Sequence, residues 1–189
     1  SSAASDVYKR QIGGPCYSAT LVDQDKLPIL PSLVAFAMIL TQILQPNSVR
    51  VPLKGTNKEA VISELVDVLN ENGLLLNKNV ALEAVFTREK TRSTGIGSGI
   101  AIPHGKCNVV KDLVMALGVC RQPIEFQSVD GKPVSIVMLL ISPLDQTGPH
   151  IQALARISRL MLDAAFKSEL EHAPSAEVAY KLLSERENE

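Results

Sequence analysis

Three glycines at alternate positions, Gly95, Gly97 and Gly99, precede a short β-leaning run, Ile100 to Ile102, and a histidine set between Pro103 and Gly105. Glycine frees the backbone to take φ > 0 or to lie against a ligand. Proline fixes the angle at which the chain reaches His104, and glycine leaves the far side of the imidazole open. A histidine packed in a core rarely needs such a frame. His104 is expected to be a presented, reactive imidazole.

The run Ser93-Thr94-Gly95-Ile96-Gly97-Ser98-Gly99-Ile100-Ala101-Ile102-Pro103-His104-Gly105 resembles, without a gap, the active-site segment of phosphotransferase-system enzyme IIA domains. The resemblance is to the fructose/mannitol type, which includes the nitrogen-regulatory branch. In that family the histidine carries a phosphoryl group. Ser98 departs from the Asn common there: it keeps one hydrogen-bond donor and loses the amide geometry. The resemblance covers residues 38–189 and implies a central mixed sheet with helices on both faces.

The hydrophobic pattern points the same way. Val49, Val51 and Leu53 alternate as in a strand. Asn57 is a good N-cap for a helix whose Val61, Leu65, Val68 and Leu69 recur at helical spacing, and Gly73 ends it. A second helix is expected from Asn77 to about Arg88, with Val80, Ala84 and Val85 inside. Leu113–Val119 and Val134–Ile141 read as strands joined through a turn at Asp130-Gly131. The latter run lacks polar alternation, as a strand buried on both faces would. A helix from Thr147 or Gly148 should bury Ile151, Leu154, Ala155 and Ile157 and expose Arg156 and Arg159. Ser175 should cap a last helix through Glu185. The fold expected is α/β, a single domain with a helix-flanked mixed sheet.

Residues 1–11, Ser-Ser-Ala-Ala-Ser-Asp-Val-Tyr-Lys-Arg-Gln, match codon for codon the in-frame translation of a transposase-type sequencing adapter, and are set aside as a non-native scar. The stretch 12–37 is expected to be leader DNA read through, with Met38 as the start. The alternative is a remnant of an upstream fused module, a membrane one included. No charge falls between Lys26 and Arg50, but Pro28 and Pro31 come early and Thr41, Gln42, Gln45, Pro46 and Asn47 late, so a spanning helix of roughly 20 apolar residues is not expected. The domain itself is expected not to insert into a membrane.

A net charge of −1 and the absence of Trp give no electrostatic or stacking footprint for nucleic acid. Three cysteines, Cys16, Cys107 and Cys120, without CxxC spacing suit a reducing, cytoplasmic setting. His104-x-x-Cys107 has no second pair to complete a zinc site, and Gly95-x-Gly97-x-Gly99 lacks the spacing of a dinucleotide fingerprint. No metal or cofactor is expected, and His172, in a polar turn, is expected to be inert.

Further site residues follow from position and from the resemblance together. His150 lies just past the 134–141 strand in the first turn of a helix, a place that favours anions and keeps imidazole neutral; position alone also fits an exposed first-turn histidine. The resemblance places a second histidine beside the phosphorylated one, and His150-Ile151-Gln152-Ala153-Leu154 fits its motif. Arg88, alone a helix-end cation, matches the Arg-Glu pair ahead of the glycines and becomes a phosphate contact. Ser93, Thr94 and Ser98 are expected to donate hydroxyl hydrogen bonds, and glycine N–H groups such as that of Gly99 to line an anion nest. Lys106 reads as surface charge near a partner.

The function this implies is covalent catalysis by imidazole. His104 would take a phosphoryl group from a phosphohistidine carrier protein, ultimately from phosphoenolpyruvate, and pass it to a IIB domain. The rival is a nitrogen-type regulatory phosphoprotein that binds target proteins according to its phosphorylation state, which Asp145-Gln146-Thr147 resembles.

Overall fold

The computed structural model describes residues 38–188, which belong to one compact unit. The expectations for the opening 1–37 lie outside the described residues.

Each expected strand and helix forms, and several run longer than expected. Strand β1 spans Leu44–Leu53, β5 Val114–Ile124 and β6 Val134–Ser142; three short strands, β2 (Gly95–Gly97), β3 (Ile100–Ala101) and β4 (His104–Lys106), lie within the glycine-rich region. The sheet order is β1-β5-β6-β3-β2, with β4 also on β6. β1 is parallel to β5, β5 antiparallel to β6, and β3 and β4 both parallel to β6. The sheet is therefore mixed.

All nine residues of β6 are buried, so it has a core on each face. Val137, Leu139 and Ile141 join one apolar cluster; Ile136, Met138 and Leu140 join the other. That split is the two-residue period of a strand acting on a continuous apolar run. Helices α1 (Lys58–Glu71) and α2 (Lys78–Thr91) cover the first face; α3 (Thr147–Leu160), α4 (Ala164–Glu171) and α5 (Ala176–Glu187) cover the second. Asn57, Asn77, Asp163 and Ser175 cap their helices through side-chain oxygens, satisfying N–H groups that lack an intrahelical partner.

Two helix faces differ from expectation. In α2 the buried stripe is Ala81, Val85 and Glu89, while Val80 is 38% exposed and Ala84 half-buried. The stripe follows from Glu89, which is drawn inward by Lys58 and Thr94. In α3, His150, Ala153, Ile157 and Leu160 are buried, Ile151 is 60% exposed and Ala155 is exposed. Pairing of His150 with Ser142 at the end of β6 turns Ile151 outward. Arg156 is half-buried, 3.7 Å from the enclosed Glu187 carboxylate, which also accepts hydrogen bonds from the Leu40 and Thr41 N–H groups.

Candidate active site

The glycine-rich region turns back on itself and then runs along β6. β2 and β3 form a hairpin through Ser98 and Gly99, and from Ile100 the chain follows β6 in parallel, pairing Ile100 with Ile136 and His104 with Leu140. Pro103, which has no N–H to give, contributes its carbonyl to the Leu140 N–H at 3.0 Å. His104 thus sits near the carboxyl end of β6, where open α/β sheets place their ligands. Gly105 faces α2 rather than open space. A Cβ there would lie 3.0 Å from the Val85 nitrogen and 3.1 Å from the Ala84 carbonyl carbon. Its missing side chain lets α2 lie close against β4, setting Arg88 relative to His104.

His104 is half-buried, and its Nδ1 lies 2.8 Å from the Ile102 carbonyl oxygen. A carbonyl cannot donate, so Nδ1 carries the proton and Nε2 keeps its lone pair. Nε2 has no hydrogen-bond partner among the described residues. Burial, chiefly, pushes the imidazole below the ordinary histidine value of 6.5; the Ile102 bond and Glu89 act upward, and Arg88 downward. The ring is therefore neutral at physiological pH.

His150 is buried at 4% exposure. Its ring meets that of His104 edge to face, with centroids 5.4 Å apart, and its Nδ1 shares a 2.7 Å hydrogen bond with Ser142 Oγ. Burial first, then the neighbouring His104 and Lys106, depress it to about 4. Lys106 Nζ donates to Thr147 Oγ1 at 2.7 Å, tying β4 to the start of α3.

Arg88 and His104 line one cavity of about 420 Å³ with Arg92, Thr94, Ile96 and Val129. Arg88 Nη1 donates to the Arg92 carbonyl at 2.9 Å, which leaves four of its N–H donors for a ligand. Thr94 borders the cavity, but its hydroxyl donates to Glu89 Oε2 at 2.6 Å. Its N–H reaches the same carboxylate at 3.1 and 3.2 Å, so Thr94 fixes the site's frame. Lys58 completes the buried pair with Glu89 at 2.9 Å.

Ser98 and Gly99 do not line this cavity. They form the hairpin turn, with Ser98 at φ 55 and Gly99 at φ 80. The Ser98 N–H goes to Asp130 and its carbonyl accepts from Lys167, while the Gly99 carbonyl accepts from the Ser135 and Ile136 N–H groups. Position in the motif put them beside His104; hairpin geometry turns them to its far end. Arg92, Glu89 and Ser142 are the site residues that sequence reasoning missed. Glu89 had a readable signal, an acid directly after Arg88 and five residues before Thr94.

Among the described residues no cluster of three or more His, Cys, Asp or Glu side chains could hold a metal ion. Nor is any helix there long and apolar enough to cross a membrane.

The open mixed sheet thus presents the His104 imidazole near the end of β6, in ring contact with His150 and in one cavity with Arg88. The chain belongs to the family described as phosphoenolpyruvate-dependent sugar phosphotransferase system, EIIA 2, whose model matches residues 42–186. It is 35% identical over 152 residues to the nitrogen regulatory protein of Klebsiella oxytoca, covering 79% of this chain and 92% of that protein. It is 31% identical to the fructose-specific EIIABC component of Bacillus subtilis, covering 79% of this chain but only 24% of that longer relative. The crystal structure of nitrogen regulatory protein IIA-Ntr from Neisseria meningitidis superposes with a TM-score of 0.71 at 31% identity, covering 76% of this chain and 98% of that one.

Proposed function

We propose that His104 is the phosphoryl acceptor, taking the group on Nε2 from a phosphohistidine carrier protein and passing it to a IIB domain. The observation that carries this reading is the 2.8 Å bond between Nδ1 and the Ile102 carbonyl. It selects the tautomer whose Nε2 lone pair is free. That lone pair forms the new N–P bond as the donor's N–P bond breaks, and the bonding electrons return to the donor nitrogen. Positive charge then develops on the His104 ring, and the Ile102 carbonyl stabilises it at the Nδ1 proton. Arg88 offers planar donors to the phosphoryl oxygens, and His150 orients and screens the site. Little else is asked of the protein, because phosphoryl transfer depends on position and electrostatics.

A second reading is favoured by coverage: the chain matches a nitrogen regulatory protein over nearly all of that protein's length. In that role the same phosphorylation on His104 would set which target protein is bound. Incubation with phosphoenolpyruvate and the two general phosphocarriers tests the chemistry common to both. Wild type should be labelled and His104→Ala should not. Full labelling of His104→Ala would end the proposal. Transfer onward to a IIB domain separates the transport role from the regulatory one.

A further inference from the structure

We propose that Arg92 is a second guanidinium contact for the phosphoryl group on His104. This rests on the phosphoryl-carrier reading. α2 ends at Thr91, and Arg92 follows with an extended backbone, φ −167 and ψ 137. Its neighbours are all tied down. The Arg92 carbonyl accepts from Arg88, the Ser93 hydroxyl donates to the Phe126 carbonyl at 2.6 Å, and Thr94 is held twice over by Glu89. Arg92 therefore stands on a fixed stem, at the edge of the cavity that also contains Arg88 and His104. Its own guanidinium has no partner among the described residues. Arg92 also borders a neighbouring cavity with Lys58, Glu59 and Glu89, but the Glu89 carboxylate there is already taken by Lys58 and Thr94.

Charge decides which side Arg92 serves. A transferred phosphoryl group brings close to two negative charges and three acceptor oxygens. One guanidinium fork pairs two oxygens at a time, which leaves the third for another donor. The other titratable or charged groups around that point are the neutral His150 of α3, Lys106 of β4, which is held by Thr147, and Glu89, which is buried in its own pair. Arg92 is the remaining cation on the cavity wall. Together Arg88 and Arg92 would offset the two phosphoryl charges, so the cavity, which holds two positive charges before transfer, keeps only about the one on the protonated His104 ring after it.

The test uses the full chain phosphorylated through phosphoenolpyruvate and the general phosphocarriers, comparing wild type, Arg92→Gln and Arg92→Lys. None of these changes removes the backbone carbonyl that holds Arg88. Arg92→Gln should shift the phosphoryl exchange equilibrium with the carrier about tenfold towards the carrier. It should also raise the midpoint of the phosphorus resonance titration by about one pH unit, since a neighbouring cation favours the dianion. Arg92→Lys should fall between. A labelled Arg92→Gln that matches wild type in both readouts overturns the proposal. So does one that only slows transfer, because that assigns Arg92 to the partner's surface. A wild type that takes up no phosphoryl group sinks the carrier reading, and the proposal with it.

Discussion

Ser142 Oγ and His150 Nδ1 share a 2.7 Å hydrogen bond that joins the last residue of β6 to the first turn of α3. Both groups are buried. The bond fixes the His150 ring, and through the 5.4 Å edge-to-face contact it fixes one wall around His104. Ser142→Ala should lower stability by about 1–3 kcal/mol, since it leaves a buried nitrogen unpaired. His150→Ala should slow phosphoryl transfer without abolishing it, because the role assigned is orientation. Denaturant unfolding checks the first and stopped-flow transfer rates the second. An unchanged rate would make His150 only a packed side chain.

The two site histidines also set a pH dependence. Both are depressed in the fold, His150 to about 4 against 6.5. Above 6.5 neither the folded nor the unfolded chain binds the His150 proton. Between 6.5 and about 4 only the unfolded chain does, so stability should fall as pH drops through that window. His150→Gln should flatten the fall. Melting temperatures from pH 8 to pH 4 provide the comparison, and parallel curves for the two proteins would contradict it.

Glu89 should behave as a clamp. Burial pushes its carboxyl up, but hydrogen bonds from Thr94 and Lys58 outweigh burial and hold it below 4.5. Its folded value lies below its unfolded one, so its stabilisation is complete above 4.5 and is lost as pH falls through the lower folded value. Glu89→Gln should therefore be clearly less stable than wild type at neutral pH, with the gap closing in acid. A gap that stays constant would mean that the carboxylate charge contributes nothing.

Much of this could be read in the chain, and the failures share a cause. The segment from Ser93 to Gly105 announced its family because its parts are adjacent in sequence, and the continuous apolar run of β6 announced a strand with two cores. What stayed hidden depended on which way a short element turned. Ile151 looked like core by its apolarity until the buried His150 claimed the inner face of α3. Ser98 and Gly99 share the motif but sit at the hairpin turn. Helix α4 was overlooked although Asp163, its N-cap, and Phe166 and Leu170, its buried pair, are a readable start and stripe. Arg92 has no local signal at all, because its role arises where α2 ends beside β4.

Arg88 should matter to the phosphorylated state far more than to the fold. Arg88→Lys keeps charge but loses the planar fork, and the two residues are not interchangeable at a bidentate site. Hydrogen bonds to charged groups contribute about 1.5–3 kcal/mol. The loss should weaken transfer or retention by roughly ten- to a hundredfold, with little change in unfolding of the free protein. Phosphoryl-transfer rates for wild type, Arg88→Lys and Arg88→Ala decide it. Three equal rates would leave Arg88 as a solvated helix-end charge.

The phosphoryl-carrier role requires phosphorus on one particular nitrogen of one histidine. Nitrogen-15 labelling of the ring nitrogens, with coupling to phosphorus read by NMR after phosphorylation, answers this directly. The expected result is a single phosphorylated imidazole, absent in His104→Ala, with phosphorus on Nε2 of His104 and the proton still on Nδ1. Phosphorus on Nδ1 of His104, or on His150 or His172, would contradict it.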